Sequence, residues 1–262
     1  MGVKIHPTAI VESGAELGED VEIGPFACVS AKAKIGDRTR IGQAARIDGD
    51  TTIGADNEIF SHAVVGSIPQ DLKFHGEEVR LIIGDRNKIR EFTLINPGTE
   101  GGGGVTRIGS DNLLMGYVHV AHDCIIGNRC ILANAATLAG HVELGDGVVV
   151  GGMTPIHQFV KIGDLAMIAG ASALSQDVPP YCLAEGNRAV LRGLNLTGLR
   201  RALPRETIDA LRRAYRALFE SGKPLKETAE ALMQESESEE VKTMCRFVLE
   251  TKRGIPFERK SK

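Results

Sequence analysis

One residue in every six is aliphatic along most of this chain. From Ile5 the series runs Val11, Leu17, Ile23, Val29, Ile35, Ile41, Ile47, Ile53, Ile59 and Val65. It resumes in frame at Ile83, Ile89 and Ile95, slips by one, and runs again from Ile108 through Val120, Leu138 and Ile156 to Leu174. These 26 hexads fit neither the helical period of about 3.6 nor the alternation of a simple strand. A period of six fits a parallel β-helix, in which three short faces close one coil of about 18 residues. One aliphatic side chain per face then points inward. Gly often follows it, as at Gly24, Gly36, Gly54, Gly127 and Gly163. These glycines are read as corner residues, since Gly tolerates positive φ.

The interior of such a prism is narrow, and composition agrees. Aromatic residues make up 4% of the chain and Trp is absent. Two stretches interrupt the hexads, at 67–79 and 98–104, and are expected to bulge from the prism. Insertions of this kind often carry the binding face of a solenoid. Charge divides the chain as well. Residues 1–185 carry a net −9 and residues 186–262 a net +6, for −3 overall. The second part loses the hexads and gains helical punctuation. One helix is expected after Pro204, with Ile208, Leu211, Tyr215, Leu218 and Phe219 on one side and Gly222 at its end. Two more are expected over 224–234 and 238–253. The expected architecture is therefore mainly β, a parallel β-helix over 1–185, with a helical domain over 186–262 that caps its open end.

Several function classes fall away. No apolar run approaches the roughly 18–20 residues of a membrane span, so no integral membrane segment is expected. The N-terminus, Met1 to Pro7, does not read as a signal peptide. The five Cys are odd in number and scattered without a CxxC. They are expected to be free thiols in a reducing, cytoplasmic setting, not a disulfide framework or a Cys-based zinc site. No nucleic-acid partner is expected.

The histidines carry the chemistry. Counted from Ile108 modulo 18, His119, His122, His141 and His157 fall at phases 11, 14, 15 and 13 of three successive coils. They should stack along one edge of the prism. Clustered imidazoles serve two chemistries. Three neutral rings can hold a zinc ion with an open position. Alternatively one His removes a proton from a substrate hydroxyl or amine near neutral pH. Asp123, next to His122, favours the second reading, because a carboxylate can orient an imidazole. Asp71 and Lys73 in the first excursion could reach a substrate, and Cys124 is a candidate nucleophile.

Longer strings extend the reading. Gln70-Asp71-Leu72-Lys73, Gly109-Ser110-Asp111-Asn112-Leu113-Leu114-Met115, His119-Val120-Ala121-His122-Asp123-Cys124 and Leu138-Ala139-Gly140-His141-Val142 stand with Gly151-Gly152-Met153-Thr154, His157-Gln158-Phe159 and Gln176-Asp177-Val178-Pro179-Pro180-Tyr181. Together they resemble the acyl-ACP:UDP-N-acetylglucosamine O-acyltransferase family, hexapeptide-repeat enzymes that open lipid A biosynthesis. The resemblance spans the whole chain. It implies a left-handed β-helix, a homotrimer with sites between subunits, and no cofactor, the acyl group arriving on the phosphopantetheine of acyl carrier protein. It implies transfer of an R-3-hydroxyacyl chain to the 3-position of a UDP-sugar.

Carried over by residue, His122 matches the general base, Asp123 its orienting carboxylate and Gly140 the backbone donor to the oxyanion. Such a donor is worth roughly 3–4 kcal/mol. Asp71, Lys73, His119, His141, His157 and Gln158 match contacts to sugar, diphosphate or acyl chain, and Asn195 and Arg201 match nucleotide contacts. Gly170 matches the position that limits acyl length. The basic residues of the tail, among them Arg200, Arg205, Arg212, Arg213 and Arg216, suit an acidic carrier protein.

Three positions depart from the family. Thr197 and Ala202 differ at the expected nucleotide contacts. Asn96-Pro97-Gly98-Thr99 stands where the family commonly has His-Arg-Gly-Thr. If the second excursion adds seven residues, Asn96 falls at phase 13, on the His edge. A change there is expected to touch the sugar, which raises a 3-amino acceptor and an amide product as an alternative to the 3-hydroxy sugar.

Overall fold

A computed structural model describes residues 2–258. Among the described residues, strands of mostly two residues stack in three sheets of 11, 8 and 8 strands, parallel throughout except for the last pair of the first sheet. Ile5 lies beside Ile23, Ile23 beside Ile41 and Ile41 beside Ile59, so each coil takes 18 residues. The excursions lengthen two coils. Ile59 pairs with Ile89, a step of 30, and Ile89 with Leu114, a step of 25. The second excursion therefore adds seven residues, and the step from Ile95 to Ile108 is one hexad plus that loop, which shifts the frame by one.

The interior holds two positions per hexad where the sequence pattern predicts one. The aliphatic residue fills the first. The residue four places later also points inward and is small on one corner: Ala27, Ala45, Ala63, Thr93, Val118, Ala136 and Thr154 are all fully buried there. On another corner the same position holds a buried amide ladder. Asn87 donates its backbone N–H to Asn57 Oδ1 at 2.9 Å and its Nδ2 to Gly109 O at 3.0 Å. Its own Oδ1 accepts from the Asn112 backbone at 2.9 Å.

The corner glycines need correction. Positive φ falls not on the Gly but three places past the aliphatic residue, on Arg38, Ala44, Asp56, His62, Phe92, Tyr117, His141 and Phe159 among others, with φ of 54–65°. That conformation costs an L-residue about 1 kcal/mol. It turns the N–H along the prism axis, where it bonds the preceding coil, as Arg38 does to Glu19 O at 2.8 Å and Ala135 to Gly116 O at 3.0 Å. The glycines answer a different need, close approach between coils. A Cβ on Gly36 would lie 2.5 Å from the Gly54 carbonyl carbon, and one on Gly127 would lie 2.6 Å from Asp146 Oδ1.

The last rung, Cys182–Glu185, joins the first sheet in parallel and is covered by antiparallel Val190–Leu194. Four helices follow: α1 (Leu196–Ala202), α2 (Arg205–Tyr215), α3 (Leu225–Glu235) and α4 (Glu239–Glu250). The short α1 has no sequence expectation behind it. α2 runs on through a π-helical turn, Arg216–Glu220, and stops at Gly222, φ 74°. Asp177 fixes the tail to the prism. It is 1% exposed, accepts from the Lys161 N–H at 2.8 Å, and accepts from Thr251 Oγ1 at 2.6 Å. All five Cys are free. No helix among the described residues is long and apolar enough to cross a membrane.

Candidate active site

The second sheet and the turns that leave it carry the site. His119 lies on the rung His119–Val120, and its Nδ1 sits 3.2 Å from Leu94 O. Burial lowers its pKa below the ordinary imidazole value. His122 and Asp123 form the next turn. His122 Nδ1 is 2.7 Å from Asp123 Oδ2, and the Asp123 side chain is 2% exposed. One coil later, the His141 ring packs edge-on against His122 at 5.1 Å and stacks on Phe159 at 4.3 Å. His141 Nε2 lies 3.7 Å from Asp123 Oδ2. Burial lowers the His141 pKa, and the Asp123 charge opposes that shift. Both flanking rings therefore favour the neutral form near neutral pH, in which a ring nitrogen can donate a hydrogen bond.

The two excursions reach this edge. The first carries Asp71 to within 3.9 Å of His122 Nε2. The second places Thr99 on Asp123: its N–H donates to Oδ1 at 2.8 Å and its hydroxyl to Oδ2 at 2.6 Å. Asp123 thus accepts from Thr99 twice and from His122 once. With Nδ1–H engaged by Asp123, the free base position of His122 is Nε2.

Gly140 lies against the His122 ring, where a Cβ would meet Nε2 at 2.8 Å. Its N–H has no acceptor among the described residues. The equivalent turn amide on another corner is closed by a side chain, as Ala55 N–H is by Asp85 and Asn128 N–H by Asp146. At Gly140 it is left open, beside the imidazole.

The remaining sequence candidates make fewer of these contacts. Lys73, His157, Gln158, Gly170 and Arg201 are exposed. Asn96 is 1% exposed, and its Nδ2 donates to Ser67 O at 2.9 Å and Ile68 O at 3.2 Å. It roots the first excursion and does not face outward as its phase suggests. Asn195 is likewise committed. Its Oδ1 caps α1 by accepting from Gly198 N–H at 3.1 Å, and its Nδ2 donates to Leu165 O at 2.9 Å. Cys124 is fully buried and donates to Ala139 O at 3.2 Å, and burial pushes its pKa up to about 12. That environment opposes a thiolate, which removes it as a nucleophile. The sequence reading missed Thr99 and Phe159 as parts of the site, since no local pattern distinguishes a Thr in a Gly-rich loop.

His122, Asp123 and His141 offer ligand atoms within 4.8 Å of one another, close enough for a metal ion. The three hydrogen bonds already made to the Asp123 carboxylate suit an orienting group better than a free ligand.

Comparison with known proteins decides the chemistry. Residues 177–256 match the family described as Udp N-acetylglucosamine O-acyltransferase, domain 2, and residues 105–140 match the bacterial transferase hexapeptide. An acyl-[acyl-carrier-protein]–UDP-N-acetylglucosamine O-acyltransferase of Aliarcobacter butzleri is 69% identical over 98% of this chain and 99% of its own. That of Sulfurovum sp. is 67% identical, again over 98% and 99%. The chain belongs to this family. The solved UDP-N-acetylglucosamine acyltransferase of Campylobacter jejuni, 57% identical, superposes with a TM-score of 0.95 over 98% of this chain and all of its own. The acyltransferase fold is thus the expected one, β-helix and helical tail together.

Proposed function

We propose that this acyltransferase moves an R-3-hydroxyacyl chain from acyl carrier protein to the 3-position of a UDP-N-acetylglucosamine-type sugar, with His122 as general base. The observation that carries this reading is His122 itself, held at Nδ1 by a buried carboxylate at 2.7 Å with Nε2 on the other side of the ring, 3.9 Å from Asp71 Oδ2. Nε2 takes the proton of the acceptor as its oxygen attacks the thioester carbonyl. The new C–O bond forms, and the tetrahedral oxyanion accepts from the Gly140 N–H. As the C–S bond breaks, His122 returns the proton to the departing phosphopantetheine sulfur. No acyl-enzyme is required, in keeping with the buried Cys124.

Asp71, Lys73, His119, His141, His157 and Gln158 are proposed to line the path of sugar, diphosphate and acyl chain. Arg201 is kept at the nucleotide end. The basic groove of Arg200, Arg205 and Arg212 in the tail, floored by Leu203 and Ile208, is the proposed landing place of the acidic carrier. A homotrimer is supported by one corner of the prism, where Phe26, Phe92, Tyr117 and Met153 are 61%, 48%, 63% and 73% exposed. A ridge of this kind suits burial against a second copy. Free, mostly buried thiols agree with a cytoplasmic enzyme.

A second reading attaches to Asn96. Since its amide holds the root of the loop that bears Asp71, its effect on the acceptor would run through that loop. A 3-amino sugar would then give an amide. One assay covers both readings: acyl-ACP with UDP-N-acetylglucosamine or its 3-amino analogue. An alkali-labile ester from the first supports O-transfer, faster formation of an alkali-stable amide establishes the second reading, and transfer to neither contradicts the assignment.

A further inference from the structure

We infer that Thr99 is a positioning residue for the His122–Asp123 pair, and that the glycine run after it is the cover that keeps Asp123 dry. The inference rests on His122 acting as the base. Thr99 is 7% exposed and gives both of its donors to one carboxylate, N–H to Oδ1 at 2.8 Å and Oγ1–H to Oδ2 at 2.6 Å. Two parallel bonds of this kind fix the plane of a carboxylate. Oδ2 is also the oxygen that holds His122 Nδ1. The plane set by Thr99 therefore sets the direction of the imidazole and of its Nε2.

The loop beyond is built to lie over that carboxylate. Glu100–Gly102 make one 3₁₀ turn, and the Gly104 N–H returns to Thr99 O at 2.8 Å. Gly102 rests on Asp123 so closely that any Cβ would collide with the carboxylate. Gly103 and Gly104 have φ of 92° and 76°, which closes the loop back onto the third sheet at Val105. The insertion thus covers a charge on the coil above it. Asp123 is further held from beneath, where its own N–H donates to Thr106 Oγ1 at 2.8 Å.

Removing the Thr99 hydroxyl has a predictable electrostatic sign. Oδ2 would lose a donor and turn more of its charge onto the imidazole, so protonated His122 would be favoured. The titrating groups around it are Asp71 from the first excursion, His119 and Asp123 from its own coil, and His141 from the next. Cys124 carries no charge near neutral pH. The acid limb of the rate profile belongs to this coupled set and should move to higher pH.

The test uses the full-length enzyme and four variants: Thr99→Val, Thr99→Ser, Gly102→Ala and His122→Ala. Thr99→Val is expected to lower kcat by about tenfold or more, with KM for both substrates within about twofold and the acid limb of kcat displaced upward. Thr99→Ser should restore both. Gly102→Ala, a loop change that leaves the prism core intact, should lower kcat by pressing on Asp123. Thr99→Val and Gly102→Ala with wild-type kcat and an unmoved limb would overturn the inference, as would failure of Thr99→Ser to restore activity. An active His122→Ala enzyme would instead remove the base assignment on which the inference stands.

Discussion

Gly140 leaves no room for a side chain against the His122 ring of the adjacent coil, and its own N–H has no acceptor among the described residues. A Cβ at residue 140 would lie 2.5 Å from His122 Cε1 and 2.8 Å from Nε2. Gly140→Ala should therefore displace the imidazole and narrow access to the oxyanion donor, lowering kcat by about 10²-fold. Its φ lies outside the left-handed region, so the backbone tolerates alanine. A thermal midpoint close to wild type with lost turnover is the expected pair of results, and a Gly140→Ala enzyme with full kcat would argue against this use of the amide.

The amide ladder inside the prism is the expected stability determinant of the middle coils. Asn87→Ala leaves the Asn112 N–H and the Gly109 carbonyl without their partners. At about 1–3 kcal/mol per buried unpaired group, the loss should be about 2–6 kcal/mol in urea unfolding. An unchanged urea midpoint would mean that water or backbone movement replaces the ladder.

Burial holds His119 and His141 below the ordinary imidazole pKa. The unfolded chain then binds protons on these rings at a higher pH than the folded one does. Stability should fall as pH drops through the ordinary value of about 6.5 and continue to fall until the folded rings titrate. His119→Gln removes one such group, so its thermal midpoint should vary less between pH 7 and pH 5 than that of the wild type. Equal slopes would show that His119 does not contribute.

Gly170 is exposed, and a Cβ there would sit 3.5 Å from Gly152 O, an ordinary contact. The backbone there accepts a Cβ without a clash. If residue 170 bounds the acyl path, Gly170→Met should shift kcat/KM from longer to shorter acyl-ACP donors without loss of folding. An unchanged chain-length preference would place the limit elsewhere.

Much of this was legible in the residues. The hexads at Ile5 through Leu174 predict the coil, its three faces and the exclusion of large rings from the core. The modulo-18 phase of His122 and His141 predicts that they meet, which they do at 5.1 Å. What the period does not encode is where an inserted loop folds. Asn96 has the phase of the His edge, yet its amide turns to the backbone of residues 67 and 68, because the root of the first excursion needs donors there. Thr99 is silent for the same reason, since its contact with Asp123 arises from a loop outside the repeat. The corner glycines mislead in another way. Their place in the hexad is set by the distance between coils, while the left-handed turn falls on residues as large as Phe159.

The most direct test of the account is acyl transfer by His122→Ala with saturating acyl-ACP and UDP-sugar at neutral pH. The account predicts a loss of kcat of about 10²–10⁴-fold in a protein that keeps the wild-type thermal midpoint within a few degrees. Turnover within a few-fold of wild type would contradict it, and the base would have to be sought elsewhere on the His edge.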